Sequence, residues 1–99
     1  MRLRYTRPAL ADLATILDYI KGHSPQGAVR VHARIDAVIN LLLSHPRIGI
    51  QTGDPTIRRI NASPYPYLIF YEIAGDDIII IHAVRHGARN PTGMPGADS

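Results

Sequence analysis

Three features of this 99-residue sequence predict an α+β fold. Two stretches in the first half repeat apolar residues at helical spacing, each with one apolar stripe. The second half holds runs of β-branched and aromatic residues, bounded by segments rich in Gly, Pro and Asp. A short alternating segment precedes both helices. The expected order is an N-terminal strand, a two-helix antiparallel hairpin, then a three-stranded antiparallel sheet, with the helices segregated on one face.

Each element has its own signal. Arg2 to Thr6 alternates polar and apolar, with Leu3 and Tyr5 on one side, and reads as a strand. Thr6-Arg7-Pro8 starts a helix, because Pro is tolerated in the first turn. That helix is expected from Pro8 to Lys21, with Leu10, Leu13, Leu17 and Ile20 as its stripe. Gly22 is expected to end it in the left-handed conformation.

Ser24-Pro25 is a second start: a capping hydroxyl followed by Pro at the first helical position. The second helix is expected to reach Leu43, with Ala28, Val31, Ile35, Val38 and Leu42 facing the core. His45-Pro46 stops it. Arg47 to Pro55 reads as a loop, and Ile57 to Ile60 as a short strand. Tyr67 to Ile73 and Ile78 to Arg85 are strong strands, joined by a hairpin turn at Ala74-Gly75-Asp76-Asp77. Residues 1–91 then form one domain, and 92–99 a flexible polar tail.

The composition narrows the function classes. With 45% hydrophobic and 19% charged residues the chain is globular. At this length it buries only about 60–70% of its unfolded surface, so a partner contributes usefully to its stability. There is no cysteine, which removes disulfide and thiolate chemistry. The N-terminus has charges without an apolar stretch behind them, so no signal peptide is expected there, and no apolar run is long enough to cross a membrane as a helix. A cytoplasmic protein is expected. The net charge is +3, and ten of the eleven cations are Arg, with Lys21 the exception. Arg holds phosphate and carboxylate through a planar fork, which suits an anionic partner.

One consequence of the last strand bears on partners. Ile78 and Ile80 lie on one face of it, Ile79 and Ile81 on the other. Two helices cover one face only. The other is expected to leave an apolar patch for a protein partner, unless side chains within the sheet close over it.

The residues with chemical potential cluster at the end of that strand: Arg85-His86-Gly87-Ala88-Arg89. Arg58-Arg59 opens the preceding strand region, and a neighbouring strand is expected to bring Arg59 near Arg85. Such a group grips a phosphodiester, with His86 as general acid or base and the guanidiniums steadying the added negative charge. The plainer alternative is a solvated basic edge that discourages strand pairing. His82 and His86, four apart on a strand, share a face, but neither Glu72 nor Asp76 completes a metal site by spacing. Neither a metal nor an organic cofactor is expected. Tyr65, Tyr67 and Tyr71 are either base-stacking platforms or half-buried strand residues with a wet hydroxyl.

The ordered set of these pieces resembles the RelE/ParE toxin superfamily. The pieces are Thr6-Arg7-Pro8-Ala9 with Asp12-Leu13, Ile16 and Asp18-Tyr19-Ile20, then Ser24-Pro25, His45-Pro46-Arg47-Ile48-Gly49 and Arg58-Arg59-Ile60. Tyr65-Pro66-Tyr67-Leu68-Ile69-Phe70-Tyr71 follows, and then Ile81-His82-Ala83-Val84-Arg85-His86-Gly87-Ala88-Arg89. The resemblance extends to about Pro91. It implies a sheet with a helical hairpin on one side. It also implies the toxin half of a type II toxin–antitoxin pair, inhibiting growth until its antitoxin wraps it. Such antitoxins bind operator DNA, and the toxin reaches the DNA only through them.

The superfamily divides by target. RelE-like members cleave mRNA in the ribosomal A site with Arg, Lys, Glu or His groups and often a C-terminal Tyr. ParE-like members poison DNA gyrase without that set. The resemblance places Arg59, Arg85, His86 and Arg89 at RelE-like catalytic positions. The loop before the third strand has no Lys, the central loop no Glu, and no Tyr follows Arg89. These gaps favour the ParE-like branch. The ribosome-dependent endoribonuclease and a non-toxic antitoxin-binding remnant stand as alternatives. The antitoxin-binding residues, the antitoxin's identity and the stoichiometry are left open.

Overall fold

A computed structural model describes residues 1–87 of the chain. Arg89 and the tail expected over 92–99 lie outside the described residues. The elements run β1 (Arg2–Tyr5), α1 (Arg7–His23), α2 (Pro25–Ser44), β2 (Ile50–Gln51), β3 (Arg58–Asn61), β4 (Tyr67–Ala74) and β5 (Ile78–His86). The five strands form one sheet in the order β1-β5-β4-β3-β2. It is larger than the expected three strands for two reasons. The first strand joins it, parallel to the last, with Leu3 opposite Ile79 and Tyr5 opposite Ile81. Within the expected loop, Ile50–Gln51 pairs antiparallel with Arg58–Arg59.

Both helix starts follow the cap chemistry. The Thr6 hydroxyl accepts from the Ala9 amide at 3.1 Å, and the Ser24 hydroxyl from the Gly27 amide at 3.0 Å. The α1 terminus differs from expectation. Gly22 stays helical, and Ser24 closes α1 in extended backbone, its amide donating to the Ile20 carbonyl at 2.7 Å. One residue thus caps both helices, which leaves no room for a left-handed glycine. Gly75, in the β4–β5 turn, is the positive-φ residue among those described, at +62°.

The core lies between the helices and one sheet face. Ile35, Ile39 and Leu42 of α2 meet Ile69, Tyr71, Ile79 and Ile81, all fully buried. Each such side chain contributes about 1.5–3 kcal/mol by leaving water. From α1 only Ala9 is fully buried, while Leu13, Ile16, Leu17 and Ile20 pack at the margin. Leu10, expected in the stripe, is 52% exposed. Where α1 rests on β5 sets its rotation, and the contact is close enough to prefer the small residue.

The face away from the helices is also partly closed. Ile57 arrives from the loop before β3 and packs with Phe70, Ala83 and Leu68, and Phe70 is only 2% exposed. The expected apolar patch is therefore not centred there. Large exposed apolar side chains stand instead at Met1, on the helices and at Ile48 and Ile50.

Candidate functional site

The end of β5 is shaped by what happens when β1 runs out. The Thr6 amide donates to the Ile81 carbonyl at 3.0 Å, and its hydroxyl to the His82 carbonyl at 3.3 Å. The chain then turns into α1, whose second turn brings Asp12 against the bare edge of β5. Asp12 Oδ2 accepts the Val84 amide at 3.1 Å, and Oδ1 accepts from Arg85 Nη1 at 2.7 Å. The carboxylate stands in for a missing strand. Arg85 neutralises it through a short charge-assisted hydrogen bond. His86, half-buried, lies edge-on to Tyr67 with ring centroids 5.4 Å apart.

Two expectations fail here. Arg59 is not beside Arg85, because β4 lies between their strands: Arg59 pairs with Phe70, and Phe70 with Ala83. Two strand spacings separate β3 from β5, about 9–10 Å of backbone. Arg59 is exposed, whereas Arg85 turns its guanidinium to α1. His82 and His86 do not share a face either. The β4–β5 register shifts between Phe70 and Tyr71, so His82 is the extra residue of a bulge. His82 Nε2 sits 2.7 Å from Glu72 Oε1, while His86 lies opposite Tyr67 on the helix side of the sheet. Among the described residues no group of three or more His, Cys, Asp or Glu is placed to hold a metal.

A second region is built as tightly, and sequence reasoning missed it. Tyr71 is fully buried, so its hydroxyl is not wet as expected. It donates to the Pro46 carbonyl at 2.7 Å and accepts the Gly49 amide at 2.9 Å. Burial raises the Tyr71 pKa above its ordinary 10.0, against the opposing pull of the Gly49 hydrogen bond and the Arg58 charge. Arg58 Nη1 donates to the Gly49 carbonyl at 2.9 Å and the Arg47 carbonyl at 3.3 Å. Gly49 itself is forced by space: a Cβ there would lie 2.6 Å from the Tyr71 ring and 2.9 Å from the Arg59 carbonyl.

The loop is thus pinned from inside and presents its other side outward. Ile48 is 44% exposed and Ile50 64%. His45, Pro46, Arg47 and Ile48 line an open hollow of about 360 Å³. Arg59 stands directly across from Ile50 on β3. The sequence signals were Gly49 three residues after Pro46 and a tyrosine in a largely apolar strand, whose hydroxyl needs a partner. Which partner it takes depends on a loop 22 residues away.

No helix among the described residues is long and apolar enough to cross a membrane. The sequence matches the family described as "ParE toxin of type II toxin-antitoxin system, parDE" over residues 3–91. It is 38% identical over 85 residues to Toxin RelE2 of Caulobacter vibrioides, covering 86% of this chain and 93% of that one. The fold superposes on a chain of the chromosomal ParDE TA system from P. aeruginosa with a TM-score of 0.75, at 24% identity, over 87% of this chain and 95% of that chain. The last likeness is one of fold. On the family match and the 38% identical relative, this chain belongs to the ParE toxin family of type II toxin–antitoxin systems.

Proposed function

We propose that this protein is the toxin of a type II toxin–antitoxin pair, arresting growth in the cytoplasm until a cognate antitoxin binds it, and that it acts by binding DNA gyrase. It needs no cofactor for this. Operator DNA is reached only through the antitoxin. The observation that carries the choice of a binding toxin is the pairing of Arg85 with Asp12. Phosphodiester cleavage requires an acid or base and a cation converging on one phosphate. Here Arg85 is spent on the fold and Arg59 lies two strands away.

A second reading is a ribosome-dependent endoribonuclease using Arg59, Arg85, His86 and Arg89. The 38% identical relative bears a RelE name, which keeps this reading in play. A non-toxic antitoxin-binding remnant is the third.

One experiment separates all three: expressing the chain alone in bacteria, following growth, and mapping new RNA 5′ ends within minutes. Growth arrest without in-frame cleavage inside translated codons, with supercoiling by purified gyrase inhibited, is the expected result. Fresh ends in register with the reading frame would overturn it in favour of the nuclease. Unimpaired growth would leave the remnant.

A further inference from the structure

We propose that the outward side of the His45–Gln51 loop is the surface with which this toxin grips its protein target. The segment it takes presents apolar side chains flanked by carboxylates. This rests on the binding-toxin reading above and assigns residues to it.

Three observations converge on the loop. The first is apolar exposure: Ile48 and Ile50 lie two residues apart in sequence, next to the open hollow at His45–Ile48. Exposed apolar side chains beside a concavity are what a partner's side chains fill. The second is charge. Arg47 and Arg59 are exposed, and neither has an acidic partner among the described residues. Asp54, the nearest acid along the chain from Gln51, gives its carboxylate to the Thr56 amide and hydroxyl at 2.9 and 2.8 Å. An apolar pair rimmed by unpaired guanidiniums selects an acidic, apolar segment over a basic one.

The third observation is rigidity. Tyr71 and Arg58 together make four hydrogen bonds to the backbone of residues 46–49. A loop already fixed loses little entropy on binding. The same inside contacts hold Ile48 and Arg47 outward, so the surface exists before the partner arrives.

The test uses the full chain carrying Ile48→Asp with Ile50→Asp, and separately Arg47→Glu and Arg47→Lys. All three residues are exposed, so thermal melting checks that each variant folds. Three readouts are taken: growth arrest, inhibition of purified gyrase, and co-purification with the antitoxin. The double apolar variant is expected to need about tenfold or more toxin for the same inhibition. Arg47→Glu weakens it as well, Arg47→Lys largely restores it, and all variants still co-purify with the antitoxin.

Unchanged inhibition and arrest in the folded double variant would overturn the proposal. So would variants that still arrest growth but lose the antitoxin, because the surface would then belong to the antitoxin. If the wild type arrests growth without touching gyrase, the gyrase reading fails alone, and loss of arrest in the variants still assigns the surface. If the wild type causes no arrest, both fall.

Discussion

The end of β5 and the loop before β2 are both held by an Arg side chain, yet they use their Arg in opposite ways. At β5, Arg85 folds inward onto Asp12, and the pair replaces a missing strand along Val84. At the loop, Arg58 folds inward onto two carbonyls, and its neighbours Arg47 and Arg59 are left facing water. The first arrangement uses basic charge to close the fold. The second uses one Arg to hold a platform on which another is displayed. Counting basic residues at a strand end does not tell which of them are free to meet a ligand. Where each guanidinium's hydrogens already go does.

The largest expected effect breaks the platform. Gly49→Ala would push a methyl group against the buried Tyr71 ring and the Arg59 backbone, so one of them must shift. Overpacking of this kind costs about 1–3 kcal/mol, and here the upper end is expected because one obstacle is backbone. A chemical-denaturation curve gives the value directly. The same substitution at Gly22, where a Cβ meets nothing within 4 Å, is the control and should be mildly stabilising, since Gly22 lies within α1. Equal effects at the two glycines would mean the loop is not pinned.

Next in size is the β5 lock. Asp12→Ala strands both the Val84 amide and Arg85, at a cost of about 2 kcal/mol, discounted because Arg85 is 38% exposed. For a domain of this size that lowers the melting temperature by about 10 °C. Arg85→Ala should cost less, because the Val84 amide keeps its acceptor. The double variant should be little worse than Asp12→Ala alone. If Arg85→Ala abolished growth arrest while barely moving the melting temperature, Arg85 would serve the target and not the fold, and the contrast between the two regions would collapse.

Much of the scaffold was legible because its signals are local. Thr6-Arg7-Pro8, Ser24-Pro25, His45-Pro46 and the turn at Gly75 each act within four residues. What the sequence did not reveal depends on distant partners. β1 pairs with a strand 76 positions away, and nothing in Arg2–Tyr5 names that partner. The rotation of α1, which buries Ala9 and exposes Leu10, follows from its seat on β5. The bulge at His82 inverts the face expected for it, and a period-two count cannot see an extra residue. Arg85 and His86 stand at the strand end as expected, but nothing near Asp12 in the sequence names the β5 edge that it caps. Its role exists only because β1 is shorter than β5.

The smallest effect, and the sharpest on the platform, concerns the Tyr71 hydroxyl. Tyr71→Phe keeps the ring and its packing but removes the partner of the Gly49 amide and the Pro46 carbonyl. Arg58 still holds the loop through the Gly49 and Arg47 carbonyls, so the cost at neutral pH is about 1 kcal/mol. The pH dependence identifies its source. Burial disfavours the phenolate, so Tyr71 ionises above 10.0 in the folded protein, while the unfolded chain ionises near 10.0. The stability due to this group is complete below pH 10 and is lost as pH rises through the folded value, because the unfolded state releases its proton first. Tyr5 is raised in the same direction by burial and by Asp36, but it is present in both proteins and cancels in the difference. The gap in unfolding free energy between wild type and Tyr71→Phe should therefore narrow above pH 10 in urea titrations run from pH 7 to pH 11. A gap that stays constant would mean the hydroxyl ionises as freely folded as unfolded. The loop would then be held by Arg58 alone, and the two regions would each rest on a single guanidinium.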